Sequence, residues 1–183
     1  MQKKVLSEIA LYSGKVIMPK HYDIERSKIK ADILTSQLEN KTISSNPFDY
    51  GFFDYKIEHS RPLDMLHTYI REQHLLHHKR NLLPVLNFGN ILQHGEQSFS
   101  RRCLDETMYR ESPDFVMIYG VDVYPDSANI VIEYDDNRRV NATWHIPINN
   151  NEYVMFPTTQ RFFITGNTSH STNVFLLTTF EYV

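Results

Sequence analysis

The segment Asp114–Val183 reads DFVMIYGVDVYPDSANIVIEYDDNRRVNATWHIPINNNEYVMFPTTQRFFITGNTSHSTNVFLLTTFEYV. Apolar and polar residues alternate along its pieces, which is the period of a strand with one buried face. Asp135–Asn137, Asn149–Asn151 and Gly166-Asn167 supply turn residues between the pieces. The segment therefore predicts a series of short antiparallel strands. The predicted faces are Phe115, Met117, Tyr119, Val121 and Val123 on one strand, and Ile130, Ile132 and Tyr134 on the next.

Upstream of this block the pattern is helical. Spaced apolar residues predict a first helix over 23–40 with Asp23 as its cap, and Ser60 and Pro62 open a second over 62–80. Residues 82–92 are predicted to be a strand or a buried connector. The chain of 183 residues suits a single domain. We predict an α+β fold over 1–183, with a helix-rich support over 1–82 and a β core over 83–183.

The composition excludes several classes of function. Residues 83–183 carry 6 Arg, no Lys and 12 Asp or Glu, which argues against a broad nucleic-acid surface. No apolar run approaches the ~20 residues that span a bilayer, and the N-terminus does not resemble a signal peptide. The single cysteine, Cys103, excludes an internal disulfide. We expect a protein of the cytoplasm or of a virion, neither secreted nor in a membrane.

Two stretches resemble a known family. SPDFVMIYGVDVYPDSANIVIEYDD (112–136) and VMFPTTQRFFITGNTSHSTNVFLLTTF (154–180) are similar to segments of the iron(II)/2-oxoglutarate oxygenases of the phage and bacterial type. The likeness covers about 70 residues. It implies a double-stranded β-helix, a jelly-roll or cupin-like fold of antiparallel strands, with flanking N-terminal helices.

The resemblance also indicates where the family's chemistry would lie. That chemistry uses a His-x-Asp/Glu pair and a distal His around iron(II), and an Arg that pairs with the cosubstrate's far carboxylate. The matching positions are Met108 and Arg110 for the pair, Phe162 for the distal His and Asn173 for the Arg. None of these side chains can perform those roles. The resemblance thus predicts a non-catalytic protein without cofactors.

An alternative alignment keeps the chemistry. His94-Gly95-Glu96 is a His-x-Glu placed about 20 residues before the Phe115 strand, and His170 is the one candidate for a third ligand. On this alternative the chain is an active iron(II)/2-oxoglutarate oxygenase with a divergent site. A cupin-like module that binds a small ligand is a third possibility.

Other residues have a functional and a structural interpretation. His74 and His78 stand at i and i+4 beside His77, with His67 upstream, which fits a metal site; the favoured alternative is a partly exposed helix end. Cys103 is a nucleophile or an inert core residue. Trp144 and its neighbour His145 are predicted to pack in the core.

Because the side chains of the family's chemistry are missing, we expect this chain to act in the assembly of a larger protein complex. The run FDYGFFDY (48–55) offers Phe52, Phe53 and Tyr55 as an aromatic contact surface, or as a strand that packs on the barrel. The net charge is −3, divided between a basic half over 1–82 and an acidic half over 83–183. We expect a homo- or hetero-oligomer with other protein subunits, in a phage neck, tail or baseplate, without nucleic-acid or membrane partners.

Overall fold

The computed structural model describes residues 9–19, 23–39, 54–104, 110, 112–137 and 140–183. Two helices and nine strands lie within them. They are β1 (Tyr12–Lys15), α1 (Arg26–Leu38), β2 (Asp54–Lys56), α2 (Arg61–His78), β3 (Leu82–Leu92), β4 (Phe115–Asp122), β5 (Asn129–Asn137), β6 (Val140–Pro147), β7 (Glu152–Pro157), β8 (Arg161–Ile164) and β9 (Asn173–Tyr182).

The strands form two antiparallel sheets. The larger has the order β1-β7-β4-β9-β3-β2 and the smaller the order β6-β5-β8. Residues 94–101 run beside β8 and extend the small sheet, since the backbones of Arg101 and Phe162 exchange hydrogen bonds of 2.9 and 2.8 Å. Two facing antiparallel sheets with helices on the outer face are the predicted double-stranded β-helix architecture.

Alternating side chains of the large sheet enter two different cores. Phe115, Met117 and Tyr119 face α1 and α2, whereas Val116 and Ile118 face the small sheet. A register shift between Gly120 and Asp122 moves Val123 into the core between the sheets. The prediction that Val123 shares the face of Phe115 is therefore wrong, because a one-residue irregularity reverses the side on which the following residues lie.

The helices agree with the sequence prediction except at one cap. Residues 26–38 and 61–78 are helical, and Pro62 lies in the first turn of α2. Glu25, not Asp23, is the N-terminal flanking residue of α1, and no side chain caps that end. Packing explains why α1 forms without a cap, since Ile29 and Ile33 are fully buried against the large sheet. Among the described residues no helix is long and apolar enough to cross a membrane.

Candidate functional site

The space between the sheets at Phe162 is where the family resemblance places the distal metal ligand. Phe162 lies on β8 and is fully buried, and its ring meets Phe156 edge-on at 5.2 Å between centroids. Across the backbone bridge lies Arg101, whose guanidinium carbon is 5.6 Å from the Phe162 ring and 5.5 Å from the Phe88 ring. This position is therefore packed with rings and one cation.

A buried ion pair neutralises that cation. Asp54 of β2 lies opposite Asn90 of β3 in the sheet register. Arg101 Nη1 donates to Asp54 Oδ2, and Asn90 Nδ2 donates to Asp54 Oδ1 at 2.9 Å. Asp54 is 1% exposed and Arg101 7%. Charges this deep are tolerated only when they are paired and hydrogen-bonded, so the three side chains act as one structural unit.

These residues do not fit iron(II). The guanidinium carries only donors, stays protonated and would repel a metal cation. If Phe162 takes the place of the distal ligand, the ligand pair should begin at Arg101, which is bridged to it. Cys103 lies two residues further on, which is the spacing of the His-x-Asp/Glu pair. Burial raises the pKa of the Cys103 thiol to about 11, so it remains protonated. The same burial makes Cys103 an unsuitable nucleophile.

On this assignment the ligand pair corresponds to Arg101 and Cys103, and not to Met108 and Arg110 as the sequence suggested. Met108 lies outside the described residues, and Arg110 is exposed. Asp54, Asn90 and Arg101 were missed as site residues. The only available signal was the spacing of Arg101 and Cys103 before β4, and neither residue type suggests a metal ligand.

Asn173, the predicted position of the cosubstrate-binding Arg, has a structural role. It is fully buried at the start of β9. Its Nδ2 donates to Ser127 Oγ at 2.8 Å, and its Oδ1 accepts from Tyr124 N at 2.9 Å. Both ends of the amide therefore hold the connection between β4 and β5.

The alternative site at His94 and Glu96 lies beyond the end of β8, the strand that carries Phe162. The His94 and His170 rings stack at 5.0 Å, His94 Nδ1 is 2.8 Å from Ser169 O, and Glu96 Oε2 accepts from Gln93 N at 2.8 Å. The structure therefore brings His94 and His170 together, but on an exposed loop. Within the described ranges no group of three His, Cys, Asp or Glu side chains could hold a metal ion.

A histidine cluster lies between α2 and the large sheet. His74 is 3% exposed, and its ring stacks on His78 at 4.5 Å. Tyr12 meets both rings edge-on, at 5.7 Å for His74 and 4.8 Å for His78. Burial, then the neighbouring His78 and His77, lower the pKa of His74 to about 4. His74 is therefore neutral at pH 7. It is buried, whereas His77 is exposed and His78 half-buried, which is the partly exposed helix end that the sequence suggests.

His67, two turns earlier on α2, is a second buried histidine. Its Nε2 is 3.3 Å from Thr178 Oγ1, and Thr178 donates to Asn87 Oδ1 at 2.8 Å. Burial lowers the pKa of His67 to about 4, opposed mainly by Asp64. There is therefore a pH range in which the His67 ring is uncharged in the folded protein and protonated in the unfolded chain.

We expect the free energy of unfolding to fall as pH decreases from about 6.5 to about 4. The unfolded chain binds a proton at His67 near pH 6.5, whereas the folded protein binds it only near pH 4, so protons favour unfolding between these values. His67 alone accounts for about 3 kcal/mol of this loss, and His74 acts in the same direction. Urea denaturation at several pH values measures it. His67→Gln should flatten the profile and His145→Gln, at an exposed residue of β6, should not; equal slopes in both variants would contradict the assignment.

An apolar cleft of about 240 Å³ opens beside the barrel. Ile132 and Phe156 of the inner core form its floor, and Trp144 of the edge strand β6 forms a wall. Trp144 is 62% exposed, and His145 is exposed as well, so the prediction that they pack in the core is wrong. Trp144 lies opposite Ile132 in the register and so on the same face of the small sheet, but at the edge strand β6 its side chain has packing partners on one side only.

Comparisons with known proteins identify the fold. No model of a known protein family and no curated protein matches the sequence. Three solved structures are similar over 93–94% of this chain: a Pseudomonas putida prolyl-4-hydroxylase, the non-heme alpha ketoglutarate dependent carbocyclase SnoK from nogalamycin biosynthesis, and the viral collagen prolyl hydroxylase of Paramecium Bursaria Chlorella virus-1. Their TM-scores are 0.64, 0.65 and 0.62, at 10%, 10% and 8% identity. The match covers 91%, 79% and 96% of those chains. The chain thus has the double-stranded β-helix fold of the iron(II)/2-oxoglutarate oxygenases.

Proposed function

We propose that this chain is a non-catalytic protein that uses the oxygenase fold as a scaffold, with an ion pair where the family holds iron. The observation that carries the proposal is the buried Arg101–Asp54 pair beside Phe162. A metal ion at this position would meet a guanidinium and aromatic rings, which cannot ligate it, and a single carboxylate that is already paired with the guanidinium.

A direct test is reconstitution without oxygen. The purified protein is loaded with iron(II) and 2-oxoglutarate, and retained iron, cosubstrate binding and succinate release on exposure to air are measured beside an active prolyl hydroxylase. We expect neither retained iron nor succinate above the protein-free background. Stoichiometric iron with conversion of 2-oxoglutarate to succinate would overturn the proposal.

An active oxygenase is the second candidate, and the comparisons favour it. Hydroxylases and alpha ketoglutarate dependent enzymes are the similar structures, and they match over most of their length. Such an enzyme would need ligands away from Phe162, with His94 and Glu96 as the first candidates and a third ligand unassigned. If the reconstituted protein releases succinate, His94→Ala and Glu96→Ala should abolish it, and unchanged release in both variants would exclude this pair.

The role proposed for the scaffold is assembly with other protein subunits, with a tailed-phage virion as the proposed setting. Its support is the division between a basic and an acidic half and the aromatic run over 48–55. Phe52 and Phe53 lie outside the described residues, and Tyr55 is half-buried on β2, where it packs against the core beneath the helices. Light scattering of the concentrated protein tests the idea, and a strict monomer without a partner in its native particle or lysate would contradict it.

A further inference from the structure

The last two turns of α2 place two imidazoles side by side. His74 and His78 are four residues apart, so their side chains lie one above the other on the same helix face. Their ring centroids are 4.5 Å apart. Two imidazoles on one tetrahedral ion, with metal–nitrogen bonds of about 2.0–2.1 Å, have centroids roughly 5 Å apart. The observed spacing is therefore close to that of a bidentate pair.

The nitrogens of this pair are buried without hydrogen bonds. Among the described residues neither Nδ1 nor Nε2 of His74 has a partner, and the same holds for His78 Nε2. Buried polar atoms in native proteins almost always have a partner, from the protein, from water or from an ion. A neutral imidazole presents a lone pair at one of its two nitrogens. Three buried nitrogens without partners, on two adjacent rings, indicate a missing ligand.

There is room for that ligand beside the rings. A cavity of about 50 Å³ is lined by Tyr12, Gln73, His74, His77 and His78, among others. This exceeds the space that one water molecule needs. Among the described residues that line the cavity there is no Lys, Arg, Asp or Glu, although Arg80 lies nearby, over the Tyr182 ring at 5.1 Å. Neutral nitrogen donors without a carboxylate suit a borderline transition metal rather than Mg²⁺ or Ca²⁺.

We propose that His74 and His78 form a binding site for a divalent transition-metal ion of the Zn²⁺, Ni²⁺ or Cu²⁺ class. Water in the cavity completes its coordination, since the described residues supply no third His, Cys, Asp or Glu ligand. The site lies on the outer face of the large sheet, away from the space between the sheets. A bound ion would cross-link the last two turns of α2 through the two imidazole side chains.

The test uses the full-length chain without a polyhistidine tag, stripped with a chelator. Zn²⁺ is titrated in competition with a chromophoric chelator, and Co²⁺ is added as a spectroscopic probe because its visible bands report the ligands. We expect one equivalent of Zn²⁺ to bind and the melting temperature to rise. Loss of a residue that only hydrogen-bonds to a ligand weakens metal sites about 10–100-fold, so loss of a ligand itself in His74→Gln or His78→Gln should weaken binding at least ~100-fold.

A control is available at an exposed histidine on another element. His145 lies on β6, and its Nε2 is 3.4 Å from Thr143 Oγ1. His145→Gln should leave affinity and the Co²⁺ spectrum unchanged. Because His74 is a core residue, His78→Gln at the half-buried position decides the outcome if His74→Gln does not fold. Binding that survives His78→Gln, binding lost only in the control, or no stoichiometric binding would overturn the proposal and leave water as the occupant.

Discussion

Arg101→Met is expected to lower the free energy of unfolding by about 3–5 kcal/mol, because it leaves a charged carboxylate buried without its cation. Asp54 is 1% exposed, and the amide of Asn90 alone cannot offset its charge. Urea denaturation at pH 7 measures the loss. The double variant Asp54→Leu with Arg101→Met should recover most of it, since apolar replacement of a whole buried pair is often neutral or stabilising.

Arg161→Met is the matched control for this prediction. Arg161 lies next to Phe162 on β8, is 46% exposed, and its Nε is 3.8 Å from Glu133 Oε2. Exposed pairs of this kind contribute little, so the control should lose less than about 1 kcal/mol. Equal losses in Arg101→Met and Arg161→Met would show that the buried pair is not the structural unit described above.

Gly120→Ala is expected to destabilise the fold by about 3 kcal/mol or more, because the new methyl group would collide with backbone. A Cβ at Gly120 would lie 2.2 Å from Asn149 O, which cannot rotate away. The loop that would have to move is held by side chains: Asn150 Oδ1 accepts from Val123 N at 2.6 Å, and Tyr119 donates to Asn151 Oδ1 at 2.7 Å. Thermal or urea unfolding measures the effect.

Gly14→Ala is the control, because it makes the same substitution at a position where the neighbouring atoms can move. Its Cβ would meet only the far end of the Tyr153 side chain, at 3.3 Å, and that side chain can shift. We expect a change within about 1 kcal/mol of the parent, since Gly→Ala also restricts the unfolded chain. If Gly14→Ala proves as damaging as Gly120→Ala, the steric argument at Asn149 does not hold.

The fold was predictable from the sequence where local pattern and burial agree. Alternation over 115–123 gave the strand β4, and Pro62 marked the start of α2. The same rule failed at Val123, because nothing in the local sequence reveals the register shift after Gly120. Trp144 was misplaced because alternation shows that a strand has two faces but not that β6 lies at a sheet edge.

The candidate site was less predictable. Asp54 and Arg101 are 47 residues apart, and neither stands in a pattern that indicates burial. Only the folded register of β2 on β3, and of the 94–101 segment on β8, brings them together. The pairing of His94 with His170 likewise depends on a loop packing 75 residues away, whereas the i, i+4 spacing of His74 and His78 is local and could be seen in advance.

The position of β9 has a consequence for biosynthesis. This strand is the most C-terminal of the described fold, yet it lies between β4 and β3 in the middle of the large sheet, with residues 173–180 all buried. Its pairing with β3 joins residues about 90 apart, and the chain must lose the entropy of closing this long loop before any stabilising contact forms. During translation the apolar faces of the earlier strands therefore stay exposed until β9 has been synthesised and can pair with β3 and β4. The newly made chain is thus most vulnerable to aggregation and chaperone capture until β9 has been made and has paired.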